Sequence, residues 1–305
     1  LAIASKKRKL LLNLKSMSQE LNRDLLHYEI AGAEDDAPWI VFIHGAGGSI
    51  RTWEFQIEHF SKDFRLLLID LRDHGYSKEM TPVYEAYDFD IIASDILKVI
   101  DKLSIIKAHF MSLSIGSVIL QNIDITRPKL IDKMVMAGAI FDGSKSIYIF
   151  AHLGKLLTYI LPFRILYSLF SFIVLPRKNH RLSRYIFRKQ SKRMTAVEYL
   201  KWVHLYKPFF KLIKEYFKRD LTRPCLIVMG DQDHIFLSSA KKFTSNQNNA
   251  ALSLIKGCGH VVSIESPKIF NQMASDFFNG LDSPRSVQTD QPIPYKWKEL
   301  KALGA

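Results

Sequence analysis

Only two cysteines, Cys225 and Cys258, occur among the 305 residues. Two thiols so far apart make neither a disulfide framework nor a metal site, and they fit reduced, partly buried side chains in a cytoplasmic protein. Long hydrophobic runs are missing too. The longest uncharged apolar stretch, Ile165 to Pro176, has 12 residues, too few to cross a bilayer as a helix. Near the N-terminus, Lys6-Lys7-Arg8-Lys9 and Leu10-Leu11-Leu12 imitate the start of a secretory signal. Asn13 and Lys15 break that apolar run, and no small-residue cleavage site follows. Residues 1–20 therefore read as a basic leader or an added extension, with Met17 a candidate natural start. So short a basic run is usually a solvated arm, which argues against nuclear import or nucleic-acid binding.

What is present points to a globular α/β protein. Hydrophobic residues make up 48% and charged residues 24%, as in a soluble globular protein, and 305 residues are enough for one large α/β domain with an insertion or for two small domains. Short, nearly continuous apolar runs recur: Trp39–His44, Arg65–Leu71, Ala108–Ser112, Lys133–Ile140, Pro224–Gly230 and Ala251–Ile255. Unbroken apolar character, rather than alternation, is what strands covered on both faces require. Between them lie helical patterns. Phe89–Leu103 sets Ile92, Ile96, Val99, Ile100 and Leu103 on one face and places Asp90, Asp95, Lys98 and Asp101 outside it; Pro267–Phe278 is similar. Alternation of this kind predicts a mostly parallel central sheet with helices on both faces.

Residues 141–220 interrupt the alternation. They are helical in pattern, rich in aromatics, and hold 17 Lys+Arg against 4 Asp+Glu, so this block carries the whole formal charge of +13. An inserted helical cap is the simplest account, dividing the core into residues 21–140 and 221–281. Residues 282–305, with three prolines, read as a surface-bound or flexible extension. In the cap, cations interleave with large apolar groups, as in Tyr185-Ile186-Phe187-Arg188-Lys189. Such helices lie well in a membrane interface, so an anionic membrane surface is an expected partner. The competing expectation is that the aromatics line a pocket while the cations face water. No nucleic acid is expected, because the basic block lacks any reader motif.

Four short segments carry chemistry. Ser112-Leu113-Ser114-Ile115-Gly116 lies where a strand gives way to the helical run Val118–Ile125. A nucleophile on such a turn stands clear of the sheet, provided the residues two before and two after it are small. Ser112 and Gly116 meet that condition around Ser114. His44-Gly45-Ala46-Gly47-Gly48 follows a buried strand and can turn backbone N–H groups toward a developing oxyanion. The donors there would be Ala46 and Ile115, and the spacing fits neither phosphate-cradling loop pattern. Gly230-Asp231-Gln232-Asp233 and Gly257-Cys258-Gly259-His260 each follow a strand. A loop histidine and a carboxylate one strand earlier can activate a serine together. Among the carboxylates, Asp233 is preferred over Asp231 and Asp142.

Taken together, HGAGG, DLRDHGYS, SLSIGS, GDQD and GCGHVVSIESP resemble the α/β-hydrolase superfamily, in its esterase-like branch with a helical cap, over roughly residues 25–280. The resemblance implies Ser114 as nucleophile, Asp233 as acid, His260 as base, and Ala46 and Ile115 as oxyanion donors. It implies no metal and no organic cofactor, and a small apolar ester-like molecule as substrate. Ser112 stands where the pattern has Gly, and Asp73 where Gly is commoner. No chemistry is assigned to the DLRDHGYS loop. Serine at the turn argues against the epoxide-hydrolase and dehalogenase branches, which use Asp there. Lactonase, thioesterase and carbon–carbon bond hydrolase activities, or a slow-turnover ligand receptor, remain open alternatives to ester cleavage.

Overall fold

The computed structural model describes residues 23–34, 36–142, 145–191, 194–281 and 286–288. The extension at residues 1–20 lies outside them, as does most of the tail from residue 282. Eight strands form one sheet: β1 (Tyr28–Gly32), β2 (Trp39–Ile43), β3 (Arg65–Ile69), β4 (Ala108–Leu113), β5 (Ile131–Ala137), β6 (Cys225–Gly230), β7 (Ala250–Lys256) and β8 (Ser286–Gln288). Their order is β1-β3-β2-β4-β5-β6-β7-β8. Only β1 runs antiparallel, pairing Tyr28 with Ile69 and Gly32 with Arg65; the remaining pairings are parallel.

The continuous apolar strands are covered on both sides. Along β2 and β3, Val41, Ile43, Leu67 and Ile69 enter one core while Ile40, Phe42, Leu66 and Leu68 enter the other. The first core receives α2 (Phe89–Lys102), α3 (Gly116–Thr126) and α9 (Leu237–Thr244), through residues such as Ile96, Ile119 and Phe243. The second receives α1 (Glu54–Phe60) and α11 (Pro267–Phe278), through Phe60, Phe270 and Met273. Both cysteines are free and fully buried rather than partly so, and burial pushes the Cys258 thiol up to about 12.

Helix α2 starts where Asp88 accepts from the Ile91 N–H at 2.9 Å, a side-chain N-cap. Its buried stripe is the expected one, with one correction. Asp95 does not face water: it is 2% exposed and bonded to the buried Arg72 guanidinium at 2.6 and 2.9 Å. A two-pronged arginine pair satisfies the carboxylate where a helical wheel would put it in solvent. Strand β5 ends three residues early, because Gly138 takes a φ of 50° and leaves the ladder.

Five helices fill the interval between β5 and β6: α4 (Lys145–Leu157), α5 (Phe163–Val174), α6 (Arg181–Ser191), α7 (Ala196–His204) and α8 (Tyr206–Tyr216). They pack on both cores at once. Val174 and Ile186 join the second, whereas Trp202 and Ile213 join the first. A one-turn helix, α10 (Val262–Glu265), separates β7 from α11.

Candidate active site

The four chemical segments all lie beyond the carboxyl ends of parallel strands, the edge at which open α/β sheets place their ligands. HGAGG follows β2, Ser114 follows β4, Asp233 follows β6 and His260 follows β7. Ser114 sits at a φ of 55°, a left-handed conformation uncommon for a residue with a side chain. Its N–H donates to the Ala137 carbonyl of β5 at 3.0 Å, and its carbonyl accepts from the Ser117 N–H at 2.9 Å, closing the turn. Gly116 cannot be larger: a Cβ there would meet the Ile43 carbonyl oxygen at 2.6 Å. Ser112 fits the other tight position but is fully buried, and its hydroxyl has no partner among the described residues.

The three predicted side chains meet. Ser114 Oγ lies 2.9 Å from His260 Nε2, and His260 Nδ1 lies 2.8 Å from Asp233 Oδ2. The ionised carboxylate only accepts, so Nδ1 carries the ring proton and Nε2 is left to receive the serine's. Asp233 is itself held by N–H groups of Phe236 and Ile235, at 3.0 and 3.3 Å on Oδ1. Burial pushes this carboxyl up, but the His260 ring and the two N–H groups outweigh it and leave it below the usual carboxylate value. Its pairing therefore stabilises the fold above the ordinary carboxylate range and is lost as pH falls through the lowered value. Asp231 is occupied elsewhere, accepting from the Gly257 N–H at 2.7 Å. Among the described residues Asp142 makes no hydrogen bond to His260.

The N–H groups of Ala46 and Ile115 have no acceptor among the described residues. The peptide unit after Ala46 is gripped at both ends. Its carbonyl accepts from the Tyr167 hydroxyl of α5 at 2.9 Å, and its N–H, on Gly47, donates to His74 Nε2 at 2.8 Å. Tyr167 reaches so close that a Cβ on Gly47 would overlap its oxygen at 1.6 Å. His74 in turn donates from Nδ1 to the Arg72 carbonyl at 3.0 Å, and burial lowers its pKa to about 4. The ring is thus neutral at ordinary pH, which a histidine accepting at Nε2 must be. The DLRDHGYS loop, which resembles the family's structural loop and was assigned no chemistry, is the support beneath HGAGG. Its Asp73 takes a φ of 62° and pairs with Lys201 of α7 at 3.6 Å.

A second support was not legible in the pattern. Glu265 is nearly sealed from solvent, and its carboxylate accepts from the N–H groups on both sides of His260. Gly259 donates at 2.7 Å and Val261 at 3.2 Å. The ring of His180, between α5 and α6, lies 3.7 Å from the same carboxylate. The one available signal was a carboxylate five residues after a glycine-flanked histidine.

Beside Ser114 opens a cavity of about 480 Å³, in the roughly 300–1,000 Å³ range of small-molecule sites. Core residues supply its floor, and the cap supplies its walls, among them Leu157, Leu166, Leu169, Phe170 and Trp202. Among the described residues no cluster of His, Cys, Asp or Glu has the makings of a metal site.

A mostly parallel sheet that carries a serine on a left-handed turn, under a helical insertion, has the architecture of an α/β hydrolase. A model of the alpha/beta hydrolase family matches residues 40–273, and the chain belongs to that family. Over 115 residues it is 34% identical to a protein of Agrobacterium fabrum named as a carbamate hydrolase, RutD, a match covering 37% of this chain and 43% of that one. The chain thus spans less than half the length of this relative. Epoxide hydrolase 1 of Caenorhabditis elegans is 23% identical over 281 residues, 85% of this chain and 69% of the other. The solved enol-lactonase of Burkholderia xenovorans superposes with a TM-score of 0.69 at 21% identity, covering 83% of this chain and 96% of that chain. At such identity the likeness is one of fold.

Proposed function

We propose that the protein is a serine hydrolase that cleaves the ester bond of an apolar substrate through an acyl-enzyme on Ser114. The hydrogen-bonded line from Ser114 Oγ through His260 to Asp233 carries this reading. A serine hydroxyl is a poor nucleophile until a base takes its proton, and His260 Nε2 is within reach to do so. As Oγ attacks the carbonyl carbon, His260 becomes an imidazolium facing the Asp233 carboxylate. The oxyanion is received by the N–H groups of Ala46 and Ile115. The bond to the alcohol then breaks, and His260 returns the proton to the departing oxygen. Water, deprotonated by the same nitrogen, attacks the acyl carbon and releases the acid, and Ser114 recovers its proton.

An aspartate at the turn would give an alkyl-enzyme from an epoxide; Ser114 gives an acyl-enzyme from a carbonyl compound. This separates the chain from its epoxide-hydrolase relative in chemistry if not in fold. The apolar cap wall supports an acyl chain rather than a charged group near the reacting carbonyl. A panel of nitrophenyl esters of rising acyl length, with lactones, thioesters and carbamates, tests the proposal. Turnover highest on medium or long esters is the expected result. Turnover confined to lactones or carbamates would replace the substrate, and a single cycle leaving a stable adduct would make the protein a receptor.

Glu265 gives a finer test of how the histidine is held. Glu265→Gln replaces a carboxylate oxygen by an NH₂ group that faces a backbone N–H. Hydrogen bonds to a charged acceptor contribute about 1.5–3 kcal/mol. If that loss reaches the transition state, kcat falls about 10–100-fold, with KM little changed. An unchanged kcat would reduce Glu265 to a fold-stabilising contact.

A further inference from the structure

The cap carries an apolar face that no other part of the described protein covers. In α5, Ile165, Leu169, Phe172 and Ile173 are 47%, 47%, 49% and 42% exposed, at the spacing i, i+4, i+7, i+8 of a single helix stripe. Tyr167, Ser171 and Val174 on the opposite side are buried, as is Leu166 at the edge of the stripe. A helix that is apolar all round normally has both faces covered; α5 has one. The exposed side continues through Leu156, Tyr159 and Ile160, at the end of α4 and in the turn after it, which are 55%, 76% and 72% exposed. Adjacent apolar exposure on this scale marks an interaction site. Leu153, Leu169 and Ile173 belong to this face and also line the cavity beside Ser114. The cavity mouth and the exposed face are therefore one surface.

Charge selects the occupant. The guanidinium groups of Arg184 and Arg188 lie 5.0 and 5.8 Å from the ring centre of Phe172, and Arg164 is exposed on α5 itself. The segment bearing the face, residues 141–220, holds the whole net charge of +13. A second copy of the chain would set that charge against itself, whereas an anionic bilayer offers acyl chains beneath a negative surface. With 12 residues, α5 is about 18 Å long at 1.5 Å per residue, far short of a hydrocarbon core about 30 Å thick. None of the described helices is long and apolar enough to cross a membrane. The element is suited to lie in the interface, apolar stripe down and cations at the headgroups. We infer that the α4–α5 face of the cap docks on anionic lipid bilayers and opens the cavity directly onto them. The docking does not depend on which bond the site cleaves.

Co-sedimentation of the full chain with phosphatidylglycerol and with phosphatidylcholine vesicles tests the inference. Binding to the anionic vesicles alone is expected at low salt, weakening steeply as the Debye length shrinks from about 30 Å at 0.01 M to about 8 Å at 0.15 M. Leu156 and Phe172 do not line the cavity, so Leu156→Ser with Phe172→Ser is expected to cut sedimentation at least tenfold. Turnover of a short soluble ester and the melting temperature should stay as in the parent. Should that double variant fold poorly, Arg164→Gln serves instead and is expected to weaken binding about fivefold, the worth of one basic residue near an anionic leaflet. No sedimentation with phosphatidylglycerol at low salt, or equal sedimentation with both lipids, overturns the inference. So does a stable dimer that ignores vesicles, which would make the face a contact between copies.

Discussion

Ser114→Ala is expected to lower kcat by something on the order of 10⁶, the cost of deleting the nucleophile in a serine protease, and to abolish labelling by a fluorophosphonate. The substitution removes one atom and leaves the backbone demand unchanged. Alanine occupies the φ of 55° as readily as serine does, so the fold and the empty oxyanion donors should survive. What remains is the weak catalysis of binding and oxyanion stabilisation. Ser112→Ala is the internal control, because its hydroxyl is sealed beneath the turn without a partner. Its removal should leave activity near that of the parent. Should Ser112→Ala lose the label while Ser114→Ala keeps it, the nucleophile lies two residues earlier than the geometry indicates.

Asp233→Asn is expected to cost about 10⁴-fold in kcat, as loss of the triad carboxylate does in a serine protease. The reason lies in how the side chain is held. One of its oxygens accepts from Phe236 and Ile235 N–H groups, so the amide oxygen of an asparagine is drawn to that side. Its NH₂ then faces His260 Nδ1, which must give up its proton to accept. The ring proton moves to Nε2 and points at Ser114 Oγ, where a base is needed. The same change at Asp231 removes only an acceptor for Gly257 N–H, and at Asp142 it touches no bond to His260. Each should leave kcat within a few-fold of the parent. A large loss at Asp142 with a small one at Asp233 would reverse the assignment.

The core of this fold was readable because its strands are apolar without interruption and end in glycine-rich segments. Ser114, Asp233 and His260 each follow such a strand, so local pattern and chain order suffice to nominate them. Short or one-sided elements left weaker marks. β1 is a half-exposed edge strand and α1 has seven residues, and neither rises above the local composition. Asp95 was misplaced for a different reason: a helical wheel sorts charges to water and cannot see Arg72 arriving from another loop. His74 and Tyr167 were out of reach for the same cause. Their roles consist of reaching backbone atoms of segments that sequence separation alone does not associate with them.

Tyr167 has a consequence for how such enzymes can diverge. A cap that only roofed the cavity could be exchanged between relatives to transfer substrate preference, leaving the chemistry below intact. Here the insertion also supplies the hydroxyl that holds the Ala46 carbonyl, on the residue whose own N–H is the proposed oxyanion donor. If the proposed mechanism holds, chimeras that import a foreign cap without a hydroxyl at this place are expected to lose rate on every substrate alike. On that reading a cap exchange that keeps the rate must bring its own hydroxyl to this carbonyl.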